Sequence, residues 1–149
     1  EGDKLYRFVG DDEFDQLITH DAFLEWAQVH KGARYGTLLS EILPAIDAGN
    51  IVVREVDVQG FESIRTHARF SGVRAAYKLQ TIFILPESQE QLIKHIVGRA
   101  PIAKDELDRR IASIKEELGH AGFTDVQVTN REGELEEAIA EVEKAVMSD

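Results

Sequence analysis

Polar residues follow three apolar runs of the sequence, and their types could serve ligand chemistry. Glu55 and Asp57 end a β-branched run, residues 86–88 follow a second run, and Asn130 follows a third. Ligands of open parallel sheets bind beyond the carboxyl ends of the strands, which makes these residues candidates for a site. A Glu-x-Asp pair could hold a hydrated Mg²⁺ ion, because hard cations prefer oxygen ligands and keep several waters. Acids at strand ends are also often merely solvated, so both interpretations of the pair stay open.

The elements that would position these residues alternate between strands and helices. Apolar and β-branched runs predict strands over residues 5–9, 51–58, 81–86 and 125–129. Apolar residues at helical spacing predict six helices: one from residue 13, and others over 38–48, over 61–70, from after Ser88 to residue 97, over 104–118 and over 134–147. Because proline interrupts a helix, the second of these could instead begin only near Pro44. The run over 81–86 is typical of a strand buried on both faces of a parallel sheet. Strands separated by helices predict an α/β fold with parallel strands, and residues 5–37 form a more meandering insert.

The composition excludes several classes of function. Acidic residues outnumber basic ones by 28 to 17, and the net charge of −11 argues against a sequence-independent nucleic-acid binder. The absence of cysteine excludes disulfides, thiolate metal sites and cysteine nucleophiles. No apolar run reaches the ~18 to 20 residues of a membrane span. We therefore expect a cytoplasmic protein without nucleic-acid or membrane partners; the sequence carries no signal for an oligomeric state.

Short motifs in a fixed order resemble the guanylate kinase family. The insert that binds GMP in that family is matched by Phe23-Leu24-Glu25-Trp26-Ala27, Val29-His30 and Tyr35-Gly36-Thr37. Two core strands with their turns are matched by Glu55-Val56-Asp57-Val58-Gln59-Gly60 and Ile82-Phe83-Ile84-Leu85-Pro86-Glu87-Ser88. The lid and the adenine-side loop are matched by Gly98-Arg99, Arg110-Ile111 and Val128-Thr129-Asn130. Each motif is short, but together the motifs follow the order of the family over nearly the whole chain from Tyr6 onwards.

The resemblance implies a domain plan and an activity. It implies one guanylate kinase-like domain over 1–149, with a parallel-sheet core like that of P-loop NTPases over about 51–97 and 119–149. A small mixed α+β insert over about 4–50 would bind GMP, and a helical lid would cover about 98–118. The implied reaction is the Mg²⁺-dependent transfer of the γ-phosphate of ATP to GMP, so the implied partners are GMP and ATP.

The resemblance also implies a role for each matching residue. These roles are GMP binding by Tyr6, Glu25, Tyr35, Gly36, Thr37 and Asp57; catalysis by Arg99 and Arg110; contact with adenine by Asn130; and contact with Mg²⁺ through water by Glu55 and Asp57. Guanine presents N1–H and an amino group side by side, a donor pair that fits the two oxygens of Glu25. Planar guanidinium groups complement the oxygens of a transferring phosphate. Without the resemblance, Glu25 could equally be the polar face of an amphipathic strand, and the arginines could be solvated charges.

The sequence departs from the family in its phosphate-binding loop. No Gly-x-x-Gly-x-Gly-Lys-Ser/Thr segment occurs in the 149 residues, which start at Glu1 without a methionine. That loop and its lysine hold the phosphates of ATP. We therefore expect the sequence to be most of a guanylate kinase whose first segment is absent, and this chain alone to be inactive.

Smaller departures keep a second interpretation open. His95 stands where the first lid arginine is expected, and Glu87 replaces a proline. The alternative is a catalytically inactive guanylate kinase-like module that binds GMP-like or phosphorylated partners. A basic stretch over 65–78 fits a surface loop or a partner contact.

Overall fold

The chain divides into two units that are described separately. The computed structural model describes residues 6–28, 32–99 and 102–148, without the side chain of Arg99. One unit spans Glu1–Tyr77 and the other spans Lys78–Asp149. None of the helices within the described ranges is long and apolar enough to cross a membrane.

The first unit is built on an antiparallel hairpin. Its described elements are α1 (Asp11–Thr19), β1 (Phe23–Gln28), β2 (Arg34–Leu38), α2 (Leu39–Asp47) and α3 (Val58–Thr66). Strands β1 and β2 pair so that Glu25 lies opposite Thr37 and Trp26 opposite Gly36. The register shifts between Phe23 and Glu25, so the pairs from Glu25 to Gln28 are offset by one residue from the pair of Phe23 with Leu38.

An aromatic ring and a cation hold α1 against the hairpin. Phe14, the buried residue of α1, stacks on Phe23 with ring centroids 4.7 Å apart. The Arg34 guanidinium lies 4.6 Å from the centre of the Phe14 ring and donates hydrogen bonds to Asp15 and Asp11. These hydrogen bonds raise the pKa of Arg34. The side chain of Arg34 therefore connects β2 to two successive turns of α1.

The hairpin closes so tightly at Gly36 that no side chain fits there. A Cβ on Gly36 would lie 2.6 Å from the carbonyl oxygen of Glu25, 2.7 Å from the Cβ of Trp26 and 2.9 Å from the Phe23 ring. Gly36 is the middle residue of β2 and lies inside the strand. Its role in the structure is to allow close approach of the two strands.

The second unit contains a parallel pair of strands. Its described elements are β3 (Ile82–Pro86), α4 (Gln89–Arg99), α5 (Lys104–Gly119), a 3₁₀ turn (His120–Phe123), β4 (Val126–Asn130) and α6 (Leu135–Val146). Ile82 pairs with Val126 and Pro86 with Asn130, so both strands end at the same edge. Helix α4 packs on β3 and α6 packs on β4, where Val128 is only 1% exposed.

Local side-chain contacts start these elements. The Ser88 hydroxyl accepts a hydrogen bond from the Gln91 amide at 3.1 Å, which confirms the predicted cap at the start of α4. The Asp125 carboxylate accepts bonds from the Thr81 amide at 2.7 Å and the Thr81 hydroxyl at 2.6 Å. These bonds align the first residues of β3 and β4 and so set the register of the parallel pair. The predicted α/β class with a parallel sheet is confirmed.

Two predicted strands are wrong within the described chain. Residues 6–9 of the first and 51–57 of the second have no regular structure, and Val58 already belongs to α3. β-branched residues favour extended backbone, but a strand also needs a hydrogen-bonded neighbour. Neither segment pairs with another strand of the described residues, and Ile51 and Val53 are exposed.

The structure decides between the two predicted starts of α2 and corrects the prediction for β3. Helix α2 starts at Leu39, in agreement with the predicted helix over 38–48 and not with a start near Pro44, and the Leu39 amide donates to the Ala22 carbonyl at 2.9 Å. Pro44 lies inside α2 and leaves one helical backbone bond unmade, because proline has no N–H to donate. Strand β3 is not buried on both faces, because Ile84 is 50% exposed.

The close contact at Gly36 predicts a large effect of one methyl group. Gly36→Ala should lower the free energy of unfolding by about 1–3 kcal/mol, because the new Cβ overlaps backbone and side-chain atoms that belong to the hairpin. Urea denaturation followed by circular dichroism measures the loss. Gly119→Ala is the control, since Gly119 is helical, with φ −61° and ψ −25°, and has nothing within 4 Å of its Cβ position. Equal losses in the two variants would contradict this role of Gly36.

Candidate functional site

A buried carboxylate lies at the centre of the first unit. Glu25 on β1 is 5% exposed, and Thr37, opposite on β2, is 7% exposed. The Thr37 hydroxyl donates to Oε1 of Glu25 at 2.6 Å. Burying a carboxylate is unfavourable without such donors, so this pairing is part of what allows Glu25 to be inside. The interpretation of Glu25 as the solvated face of an amphipathic strand is therefore wrong.

A second carboxylate joins β2 to α3. Asp57 is the N-cap of α3, and its Oδ1 accepts a hydrogen bond from the Gly60 amide at 2.8 Å. Its Oδ2 accepts a hydrogen bond from the Tyr35 hydroxyl at 3.0 Å. Tyr35 and Thr37 are two residues apart on β2 and therefore lie on one face of the strand. That face thus presents one hydroxyl to each of the two carboxylates.

The pKa of Tyr35 responds to this arrangement. The hydrogen bond to Asp57 is the largest cause of its raised pKa, followed by partial burial and the nearby negative charge of Asp57. Tyr6, which is 63% exposed, lies close enough to add a small contribution. The structure therefore brings five predicted residues into one region: Tyr6, Glu25, Tyr35, Thr37 and Asp57. The sequence motifs gave the order of these residues along the chain, but they did not predict the contacts between them.

Sequence reasoning missed one residue of this region. Gly60 was quoted as part of a motif without a role, yet its amide bonds to Asp57 and its Cα faces Glu25. The signal was present in the spacing Asp-x-x-Gly, because an N-cap acid accepts from the amide three residues later. The spacing could not predict that α3 packs against β1, because that is a tertiary contact.

The metal role of Glu55 and Asp57 stays a prediction. Glu55 is exposed, and both oxygens of Asp57 already accept hydrogen bonds. Within the described residues, no group of three or more metal-binding side chains comes together. These two carboxylates alone do not form a complete Mg²⁺ site.

The second unit carries the predicted lid and adenine-side residues. Arg110 on α5 pairs with Glu106 at 3.2 Å and remains 57% exposed, while the neighbouring Arg109 pairs with the same Glu106 at 2.9 Å. Exposed ion pairs of this kind are weak, so both guanidinium groups can exchange partners readily. Arg99 ends α4, and its side chain lies outside the described residues.

Asn130 lies where ligands of parallel sheets bind. It is the last residue of β4 and pairs with Pro86 at the end of β3. The following loop is connected back to β3, because Oε2 of Glu87 accepts from the Glu132 amide at 3.2 Å. Lys94 on α4 pairs with Glu132 at 3.3 Å. The residue that replaces the expected proline thus joins the two loops at this edge.

Comparison with known proteins gives a consistent result. A family model described as guanylate kinase matches residues 1–149. The chain is 34% identical to a guanylate kinase of Streptomyces kasugaensis over 125 residues, and this matched segment covers 84% of this chain and 57% of that protein. It is 34% identical over 146 residues to a guanylate kinase of Prochlorococcus marinus subsp. pastoris, which covers 98% of this chain and 73% of that protein.

A solved structure shares the fold. The crystal structure of a guanylate kinase from Anaplasma phagocytophilum superposes with a TM-score of 0.65 and 24% identity, covering 96% of this chain and 63% of that one. The chain thus spans 57% of the first relative's length and 63% of the length of this structure.

The Tyr35–Asp57 hydrogen bond predicts a shifted titration. A neutral tyrosine donates this bond, so the folded pKa of Tyr35 lies above its ordinary value of about 10. The stabilisation is present below pH ~10 and is lost as the pH rises through the folded pKa. Asp57→Ser should lower the pKa of Tyr35, because the serine oxygen can still cap α3 but supplies no carboxylate to Tyr35.

NMR titration of tyrosine labelled with ¹³C at the ring carbon that bears the hydroxyl measures this pKa. Tyr77 is an internal control, because its pKa is raised by a separate hydrogen bond to Asp47 and should not respond to the substitution. An unchanged Tyr35 titration in Asp57→Ser would show that the bond to Asp57 is not the cause.

Proposed function

The chain belongs to the guanylate kinase family, and from this premise we propose that the protein containing it transfers the γ-phosphate of ATP to GMP. The observation that carries the proposal is the buried Glu25 carboxylate, held by Thr37 and adjacent to the α3 end that Asp57 caps. A buried carboxylate that accepts one protein donor has lone pairs left for a ligand with neighbouring N–H groups. Guanine has such a pair, N1–H and the 2-amino group, whereas adenine does not.

Guanine binding would proceed by an exchange of hydrogen bonds. In the structure, Thr37 donates its single hydrogen to Glu25 at 2.6 Å. When guanine supplies two donors to Glu25, the Thr37 hydroxyl becomes available to donate to guanine O6. Glu25 stays satisfied at each stage, so its burial is not an obstacle to binding.

The phosphate of GMP would be bound by a similar exchange. Tyr35 donates to Asp57 at 3.0 Å, and the residue is 38% exposed. If Tyr35 turns to a phosphate oxygen, joined by Tyr6, Oδ2 of Asp57 is released to face the base. Phosphate and base would then be recognised by linked movements of the same residues.

Phosphoryl transfer would depend on the lid arginines. The transferring group carries negative charge on its equatorial oxygens, which guanidinium groups stabilise. We assign this role to Arg110 and Arg99, and we place Asn130 beside adenine. Mg²⁺ would enter with ATP, since it binds phosphate oxygens and keeps most of its waters.

Two parts of the proposal concern the wider protein. None of the 11 glycines in this sequence precedes Lys-Ser or Lys-Thr, so residues 1–149 by themselves are proposed to form no GDP. The inactive binding module is the less favoured alternative, because the relatives described above carry the name of the enzyme. The cytoplasmic location stays a prediction.

The role of Glu25 predicts a loss of GMP affinity on neutralisation. Glu25→Gln replaces one acceptor by an amino group that faces the donors of guanine, so the affinity for GMP should fall about tenfold or more. Isothermal titration calorimetry with GMP and AMP measures the change, and AMP binding should remain weak in both proteins. Glu41→Gln on the exposed side of α2 removes the same charge and should leave GMP affinity unchanged. Equal GMP affinity in Glu25→Gln and the parent would contradict recognition by this carboxylate.

The role of Arg110 predicts a change in rate more than in binding. In the intact protein, Arg110→Ala should lower the single-turnover rate on the order of 10³-fold, while the KM for GMP changes little. Arg109→Ala is the matched control, because it removes the neighbouring guanidinium and an ion pair to the same Glu106. A chain of residues 1–149 alone serves as the blank. Arg110 leaves the catalytic set if its variant and the Arg109 variant have the same rate.

A further inference from the structure

Gly60 is a buried glycine in a helix whose backbone does not require one. It is the third residue of α3, and its φ lies outside the left-handed region that favours glycine. Alanine stabilises such a position relative to glycine, because glycine loses more backbone freedom when the helix forms. The reason for glycine must therefore be found in what surrounds its Cα.

Both carboxylates of the site lie next to Gly60. Its amide donates to Oδ1 of Asp57 at 2.8 Å. A Cβ on Gly60 would lie 3.4 Å from Oε2 of Glu25 and 3.0 Å from the Cβ of Val56. Oε2 is the oxygen of Glu25 that does not accept from Thr37, so the added methyl would be in van der Waals contact with the oxygen left for a ligand and would cover one side of it.

We propose that Gly60 is a positioning residue that sets base specificity by keeping Oε2 of Glu25 open. This inference rests on the proposed function, because it assumes that Glu25 binds the guanine of GMP. The amide of Gly60 holds Asp57 at the start of α3, and its missing side chain leaves space at Glu25. Gly60 thus acts on Asp57 through its amide and on Glu25 through the absence of a side chain on its Cα.

GMP and IMP can distinguish a specificity role of Gly60 from a purely structural one, because their bases differ in the number of N–H donors. Guanine has two neighbouring N–H donors and uses both oxygens of a carboxylate, whereas hypoxanthine has only N1–H and needs one. Crowding of Oε2 should therefore weaken GMP binding more than IMP binding. A purely structural role of Gly60 would weaken the two ligands equally, because they share the same ribose and phosphate.

The test is calorimetric titration of the intact protein with GMP and with IMP. In Gly60→Ala, we expect GMP affinity to fall about tenfold with a much smaller change for IMP, so that the preference for GMP shrinks. Gly119→Ala is the matched control, since Gly119 is also helical, with φ −61° and ψ −25°, and has nothing within 4 Å of its Cβ position. It should leave both affinities unchanged.

A second variant separates crowding at Val56 from crowding at Glu25. Val56→Gly combined with Gly60→Ala removes both Val56 atoms near the new methyl, the Cβ at 3.0 Å and the Cγ1 at 3.4 Å, and Val56→Gly alone is its reference. The combined variant should show the same loss of GMP preference.

Each outcome decides between the two levels of the proposal. If the ratio of GMP to IMP affinity is unchanged in both Gly60 variants, or if neither variant folds, the positioning role is overturned while the proposed function stands. If the parent protein binds no GMP, the proposed function fails at the first titration. A reduced ratio in both variants, with Gly119→Ala at the parent ratio, supports the role of Gly60.

Discussion

The first unit is organised around the need to bury the carboxylate of Glu25. A carboxylate removed from water must be given donors, and here the protein supplies the Thr37 hydroxyl at 2.6 Å. That contact requires Thr37 to lie directly opposite Glu25, and therefore requires one register of β1 against β2. Gly36 makes this register possible, because any Cβ at that position would overlap the carbonyl of Glu25 itself. The shape of the hairpin and the chemistry of the site are thus set by the same atoms.

The second acid extends this constraint to α3. Asp57 would be an ordinary N-cap if only the Gly60 amide bonded to it, but its other oxygen accepts from Tyr35 on β2. The start of α3 is therefore tied to the strand that also carries Thr37. Because α3 also approaches β1 at Gly60, displacement of the helix would disturb both acids together. The start of α3 and the proposed ligand site therefore depend on one set of hydrogen bonds.

Sequence reasoning predicted the parts that are local or that belong to a motif. The Ser88 cap, the helix over α5 and the strands β3 and β4 follow from spacing and residue type alone. The strands predicted over 5–9 and 51–58 were wrong because a strand depends on a partner, which no property of the segment itself reveals. The motif order selected Glu25 and Thr37, but it could not predict that they bond to each other. That contact depends on the pairing of Glu25 with Thr37 across the hairpin, which is a property of two strands.

The hydrogen bonds within the proposed GMP site would make it both stable and selective. Thr37 and Tyr35 donate to the two acids, so Glu25 does not rely on a ligand to remain buried, and Asp57 does not rely on one to cap α3. A ligand must then replace these bonds with equivalent ones, and only a base with N–H groups facing the acids can do so without loss. A ligand that presents acceptors would leave an acid without its donor, and the cost of that is larger than the gain of an additional contact. Selectivity of the proposed GMP site would come from the penalty for a wrong ligand, and the residues that set it would be those that fold the hairpin.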